Sequence, residues 1–151
     1  MPEGGAHTLI AFDFGLRRIG VAAADTITAS PAPRMAVAAS ADGPDWPAIE
    51  REIRSLQPRL LIVGIPYNED GSPSSLAAAA RGFGAALESR FGLKVHYVDE
   101  RFSSLEASAR LADSRRRGER GRRVRREHVD SAAAAIILER WLAGEGDAAE
   151  R

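Results

Sequence analysis

Cysteine is absent from this chain of 151 residues. That excludes a disulfide framework, a zinc–thiolate site and a cysteine nucleophile, and it accords with a reducing compartment. Aromatic residues make up only 6%, so base stacking is not an obvious way for the chain to hold a nucleic acid. No apolar run approaches the ~18–20 residues of a membrane span, and residues 1–5 show no basic start followed by an apolar stretch. The expectation is a soluble, unexported, cytoplasmic protein with no membrane partner. Net charge is missing as well, because 21 basic and 21 acidic residues cancel. Lysine is all but missing: Lys94 is the one lysine, and arginine supplies the remaining positive charge.

What is present is unevenly placed. Eight arginines fall within residues 115–126, opposed there by Glu119 alone. A neutral chain with one concentrated basic segment attracts a polyanion locally, without a positive field over its whole surface. The length predicts one domain over residues 1–151, with a core over about 8–142, a flexible arginine-rich segment at 115–126 and frayed termini.

Hydrophobic patterning gives the order of elements. Residues 8–12 form an apolar run ending in Asp13-Phe14-Gly15, and residues 18–24 form a second; so short a link predicts an antiparallel hairpin. A third strand is expected near 34–38. Residues 45–56 carry apolar side chains at helical spacing (Trp46, Ile49, Ile53, Leu56), with Pro47 acceptable in the first turn. Residues 59–64 read as a central strand buried on both faces, and 68–72 as a loop with an Asp-Gly turn. A long alanine-rich helix is expected from Ser74 or Ser75 to Phe91, and a short strand over 94–98. Ser103 and Glu106 have capping-box spacing for a helix to about Ser114. The last helix spans 127–141. The fold class is α/β: an antiparallel opening hairpin plus parallel strands in one mixed sheet, with helices on both faces. Trp46, Phe83 and Trp141 read as core.

Three acids stand out. Asp13 ends an apolar strand, where an unpaired charge is costly, although an Asp before Gly also serves simply to turn the chain. Glu100 follows the apolar run 95–98, and the carboxyl ends of parallel strands are where function collects; an ion pair with Arg101 is its plainer role. On a helix, Asp130 shares a face with Ala133, Ala134, Ile137 and Trp141, so its carboxylate points toward the sheet. The macrodipole favours an acid in a first helical turn but does not choose its face. Three converging carboxylates repel one another, and a divalent cation removes that repulsion. An all-oxygen donor set without cysteine selects Mg²⁺ or Mn²⁺ over Zn²⁺. Beside an arginine-rich segment, such a cluster suits phosphodiester hydrolysis.

Four stretches then carry a resemblance: residues 10–25 around Asp13-Phe14-Gly15 and Arg18-Ile19-Gly20, Ile62-Val63-Gly64-Ile65-Pro66 with Asp70-Gly71, Val98-Asp99-Glu100-Arg101-Phe102-Ser103-Ser104, and Val129-Asp130-Ser131-Ala132-Ala133. In this order and spacing they resemble the YqgF/RuvX family over roughly residues 8–142. The resemblance implies an RNase H-like fold and a metal-dependent endonuclease. The substrate it implies is precursor 16S rRNA, matured at its 5′ end in ribosome biogenesis, or alternatively a Holliday junction. It also implies that Asp13, Glu100 and Asp130 are both the catalytic and the metal-binding acids. Ile65 stands where the family often has Leu, and the basic segment is all arginine where relatives mix in lysine; neither change touches the acids.

The substrate-binding candidates are Arg18, Arg101, Arg115, Arg116, Arg117, Arg122 and Arg123. Asp25 and Asp99 are candidates for a fourth ligand, and His128 for proton transfer, with a helix-surface role as its alternative. Other functions are a non-catalytic nucleic-acid-binding module in transcription or ribosome assembly, and a sugar-kinase-like ATPase, which needs two such domains and so more chain than this. The expected assembly is a monomer or a weak homodimer; symmetric junction resolution would ask for paired sites in a dimer.

Overall fold

The computed structural model describes residues 7–66, 74–99 and 126–144, the first five of the last segment as backbone only. Strands β1 (Thr8–Asp13) and β2 (Arg18–Asp25) form the opening antiparallel hairpin. Strand β3 (Ala32–Ser40) lies antiparallel to β2, and a two-residue β4 (Gly43–Pro44) folds back on its end. Helix α1 (Trp46–Leu56), β5 (Leu60–Ile65), α2 (Ala77–Phe91), β6 (Lys94–Asp99) and α3 (Arg126–Leu142) follow. The strand order is β4-β3-β2-β1-β5-β6, with β1, β5 and β6 parallel. This is the mixed sheet the patterning predicts, with helices on both faces.

Local chemistry accounts for the element ends. The Asp45 carboxylate caps α1 by accepting the Ala48 N–H at 3.2 Å, and Pro47 sits in the first turn, where its missing N–H removes no helical bond. Gly92 closes α2 in the left-handed conformation. Helix α2 begins at Ala77, later than expected. The Ser74 hydroxyl donates to the Pro66 carbonyl and accepts the Leu76 N–H, so it holds a turn before the helix. Strand β3 is longer than the expected 34–38. Along most of its length it is an outer strand, because β4 pairs only with Ala39 and Ser40, and an outer strand tolerates Pro33.

Two apolar layers follow from strand alternation. On one face Ile10, Phe12, Val63 and Ile65 pack with Ile49 and Ile53 of α1 and Phe83 and Leu87 of α2. On the other, Leu9, Ala11, Ala22, Ala24, Ile62 and Val98 pack against Ala134, Ile137 and Leu138 of α3. Small side chains on both partners let α3 lie close to the sheet. Phe83 is buried as expected, whereas Trp46 and Trp141 are only half-buried.

Tyr97 on β6 yields a prediction about alkaline stability. Burial, and next the Glu88 carboxylate, push its phenol above the ordinary value near 10, against a smaller opposing pull from Arg81. The neutral phenol is thus favoured in the folded state. Its contribution to stability is whole below about pH 10 and is lost as the pH rises through the raised value. Unfolding midpoints across the alkaline range should therefore fall more steeply for the parent protein than for Tyr97→Phe, and parallel curves would refute the assignment.

Candidate active site

Asp13 takes its direction from its neighbours. Phe12 meets the Phe83 ring edge-on at 5.5 Å between centroids, and Phe14 meets the same ring at 5.1 Å. Both flanking residues are committed to the face of α1 and α2. Alternation therefore turns the residue between them to the α3 face, with Leu9 and Ala11. Asp13 is half-buried at the carboxyl end of β1. It pairs with Gly20 on β2, and the next step of the β1–β5 register places Gly64 on its other side. Neither glycine has a side chain, so Asp13 supplies the only side chain of that row across the three strands β2, β1 and β5.

Helix α3 brings its first turns to the same place. Ser131 is fully buried, and its Oγ accepts the Val21 N–H at 3.3 Å, across 110 positions of sequence. Val21 adjoins Gly20 and sits where the β2–β3 register shifts, so the serine satisfies an amide at an irregular point of the ladder. The Asp130 backbone, one residue earlier on α3, is thereby held beside the strand pair that presents Asp13. Ser131 lies inside the quoted Asp130-Ser131 motif, yet nothing in the sequence assigns it a role. A lone serine among alanines carries no signal until its partner strand is known. Ser131→Ala removes this bond to a buried N–H, and should cost about 1–3 kcal/mol in urea denaturation; an unchanged midpoint would show that the contact carries no stability.

The expected apolar stripe of α3 is present at Ala133, Ala134 and Ile137, and Trp141 lies on the His96 ring at 4.4 Å. Near the end of α3, Arg140 Nη1 donates to the Asp99 carbonyl at 2.8 Å. That pins the end of β6 immediately before Glu100, and no pattern along the sequence marks it. Glu100 lies outside the described residues, as do Arg101, Arg115, Arg116, Arg117, Arg122, Arg123, the loop 68–72 and the helix expected from Ser103. The side chains of Asp130 and His128 lie outside them too. Among the described residues no group of three His, Asp or Glu side chains gathers; two of the three candidate acids have no side chain in that set.

The candidate fourth ligands fare differently from Asp13. Asp25 pairs with Thr8 at the far end of the hairpin from the Asp13–Gly20 pair. Its Oδ1 accepts the N–H groups of Ile27 at 2.9 Å and Thr28 at 2.8 Å, and the Thr28 hydroxyl at 3.2 Å. The Thr28 backbone bond is the main reason its carboxyl is held below the usual range. Asp25 therefore builds a turn and does not join the site, a correction to its candidacy. Asp99 pairs with Ile65, whose side chain belongs to the α1/α2 layer, so alternation directs Asp99 away from the face of Asp13. Arg18 opens β2, half-buried and already engaged in a polar or electrostatic contact.

Comparison with known proteins fits this arrangement. The model of the family described as RuvX: Holliday junction resolvase matches residues 7–144. The chain belongs to the RuvX family. Two relatives carry the name "Putative pre-16S rRNA nuclease". One, from Coxiella burnetii (strain RSA 493 / Nine Mile phase I), is 46% identical over 134 residues, 88% of this chain and 90% of the relative. Another, from Cronobacter sakazakii, is 44% identical over 141 residues, 92% of this chain and 98% of the relative. Among solved structures, Thermus thermophilus RuvC in complex with a Holliday junction substrate superimposes with a TM-score of 0.52 at 15% identity. The superposition covers 91% of this chain and 94% of RuvC. That likeness shows the RNase H-like fold. Membership in the RuvX family places the chain among phosphodiester-cleaving nucleases that act on nucleic acid.

Proposed function

We propose that this RuvX-family chain is a single-domain, divalent-metal-dependent endonuclease that trims precursor 16S rRNA in the cytoplasm. Asp13, Glu100 and Asp130 act as its metal-binding acids. The observation that carries the reading is the position of Asp13. It stands at the carboxyl end of a central strand, between glycines, on the face where Ser131 anchors the helix bearing Asp130. The two relatives' names supply the substrate, and each of them aligns with this chain over most of its length.

The donors suit the metal. Carboxylates in a chain without cysteine offer hard oxygen ligands, which suit Mg²⁺ or Mn²⁺. Glu100 follows directly on β6, whose Val98 belongs to the α3 layer. The bound cation supplies Lewis acidity toward water and charge neutralisation at the phosphate. The chain's own parts do the rest. The three acids would hold the cation beside the scissile phosphate, where water attacks phosphorus as the P–O bond to the leaving sugar oxygen breaks, the proton lost by the water being balanced by the one the leaving oxygen takes up. The sheet keeps Asp13 in place before substrate arrives, which removes that ordering from the barrier. The arginines of residues 115–126, with Arg101, hold backbone phosphates by paired N–H contacts.

The test offers purified protein and Mn²⁺ three substrates side by side: precursor 16S rRNA, an unstructured single-stranded RNA and a four-way DNA junction. Cleavage of the precursor alone supports the reading. Preferential cutting of the junction would replace it with branched-DNA resolution, and that alternative requires a dimer. Metal-independent cleavage, or none, would refute it.

A further inference from the structure

We propose that Arg17, at the tip of the β1–β2 hairpin, is a phosphate-binding residue that grips the nucleic-acid backbone beside Asp13. The proposal deepens the nuclease reading and rests on it for the location of the reacting centre. Four residues, Phe14 to Arg17, join β1 to β2 at the carboxyl end of β1. Arg17 therefore projects from the same loop that leaves Asp13, only four positions away.

Its guanidinium differs from most others in the described part of the chain. Arg34 is bonded to Glu52, Arg54 is paired with Glu50 at 2.6 Å, Arg90 lies over the Trp46 ring at 4.0 Å, and Arg140 holds the Asp99 carbonyl. Arg18, Arg59 and Arg81 are engaged as well. Arg17 is exposed, and within the described residues its side chain takes no hydrogen bond or ion pair. Arg51 on α1 is the other arginine in that state, but it stands between Glu50 and Glu52 on the helix layer opposite α3. The segment Gly15-Leu16-Arg17-Arg18 contains no acid, so nothing along it offsets attraction of an anion.

The backbone at the tip is fixed although the side chain is not. The Arg17 carbonyl accepts the Ala39 N–H at 2.9 Å, which ties the tip to β3. Gly15 is required by a close approach: a Cβ there would stand 2.5 Å from the Arg18 carbonyl oxygen. A rigid support carrying a free planar cation has little backbone ordering left to lose on binding, and the guanidinium fork matches two phosphate oxygens. Leu16 beside it is 63% exposed, so the tip stands clear of the domain surface.

The experiment measures affinity against sodium chloride concentration, without divalent metal. The probes are a fragment of precursor 16S rRNA spanning the 5′ end and a four-way DNA junction. Arg17→Ala should weaken binding severalfold and lower the slope of log K against log[salt] by about 0.7–0.9, one phosphate contact. Arg17→Lys should restore the slope but not the full affinity, since a point charge lacks the fork. Arg51→Ala, the matched exposed control, should change neither. A smaller slope with RNA alone or with junction DNA alone tells which phosphate backbone the tip meets. An unchanged slope for Arg17→Ala with both probes would overturn the proposal, and so would an equal effect of Arg51→Ala or no binding by the parent protein. Cleavage by Asp13→Asn, assayed separately with Mn²⁺, reports on the nuclease reading and is independent of the salt slope.

Discussion

Asp13→Asn should lower metal-dependent cleavage by more than about 10²–10³-fold while leaving the fold intact. Even the outer partners of metal ligands are worth 10–100-fold in affinity or activity, so a ligand itself should be worth more. Asparagine keeps the shape and one carbonyl oxygen, and removes the charge that attracts the cation. Two readouts separate this from a folding defect. Without metal, the variant should be as stable as the parent or slightly more so, because the proposed cluster of mutually repelling carboxylates loses one charge. With Mn²⁺, the parent should gain stability as RT ln(1 + [L]/Kd), about 2.7 kcal/mol at a hundredfold excess over Kd, and the variant should gain little. Cleavage of precursor 16S rRNA by Asp13→Asn at the parent rate would end the assignment of this site. Loss of cleavage together with a full Mn²⁺-induced shift in melting temperature would move the metal elsewhere and leave Asp13 a different task.

The direction of Asp13 is legible in the triplet Phe12-Asp13-Phe14 alone. Two bulky apolar residues flanking a charge at the end of a strand cannot share its face. The hairpin, the central strand β5 and the helices α1 and α3 are legible for the same reason, since their apolar spacing matches one period each. Contacts set by pairing across the chain are hidden. The Ser131–Val21 bond joins residues 110 positions apart, and the bond from Arg140 to the Asp99 carbonyl spans 41. No local pattern reports either. Asp25 is a case of another kind. Asp25-Thr26-Ile27-Thr28 is a local turn signature, in which an aspartate oxygen takes the N–H groups two and three residues on. The strand register adds the decisive point, because in a hairpin a carboxylate beside Thr8 cannot also lie beside Gly20. The half-burial of Trp46 likewise follows from its place at the start of α1, where the ring covers Phe83 on one side and meets Arg90 on another.

Phe83→Ala should cost about 3–5 kcal/mol, the range for removing a buried phenylalanine. Among the described residues Phe83 is the one ring that touches Phe12, Phe14 and Trp46 at once, with centroid distances of 5.5, 5.1 and 5.7 Å. Its own helix offers little to compensate. α2 has six alanines among its fifteen residues, with Gly82 and Gly84 on either side of the ring, so its large buried side chains are Phe83 and Leu87. The surrounding rings are carried by β1, the residue after it and α1, which hinders collapse into the space vacated. A cavity in a rigid wall carries the upper end of the cost. Denaturation in urea should show a lower midpoint with an unchanged slope, and a loss below about 1 kcal/mol would mean that the ring cluster is not what fastens α2 to the sheet. The same substitution reaches the active site through β1. Phe12 and Phe14 lose their common partner, and with it the constraint that turns Asp13 toward α3. At a temperature where Phe83→Ala remains folded, its Mn²⁺ affinity should therefore fall. Ile53→Ala, a truncation of a buried α1 side chain that leaves every ring of the cluster in place, should lower stability and leave that affinity in place. Equal Mn²⁺ affinity in the two variants would show that Asp13 is held by something other than its aromatic neighbours.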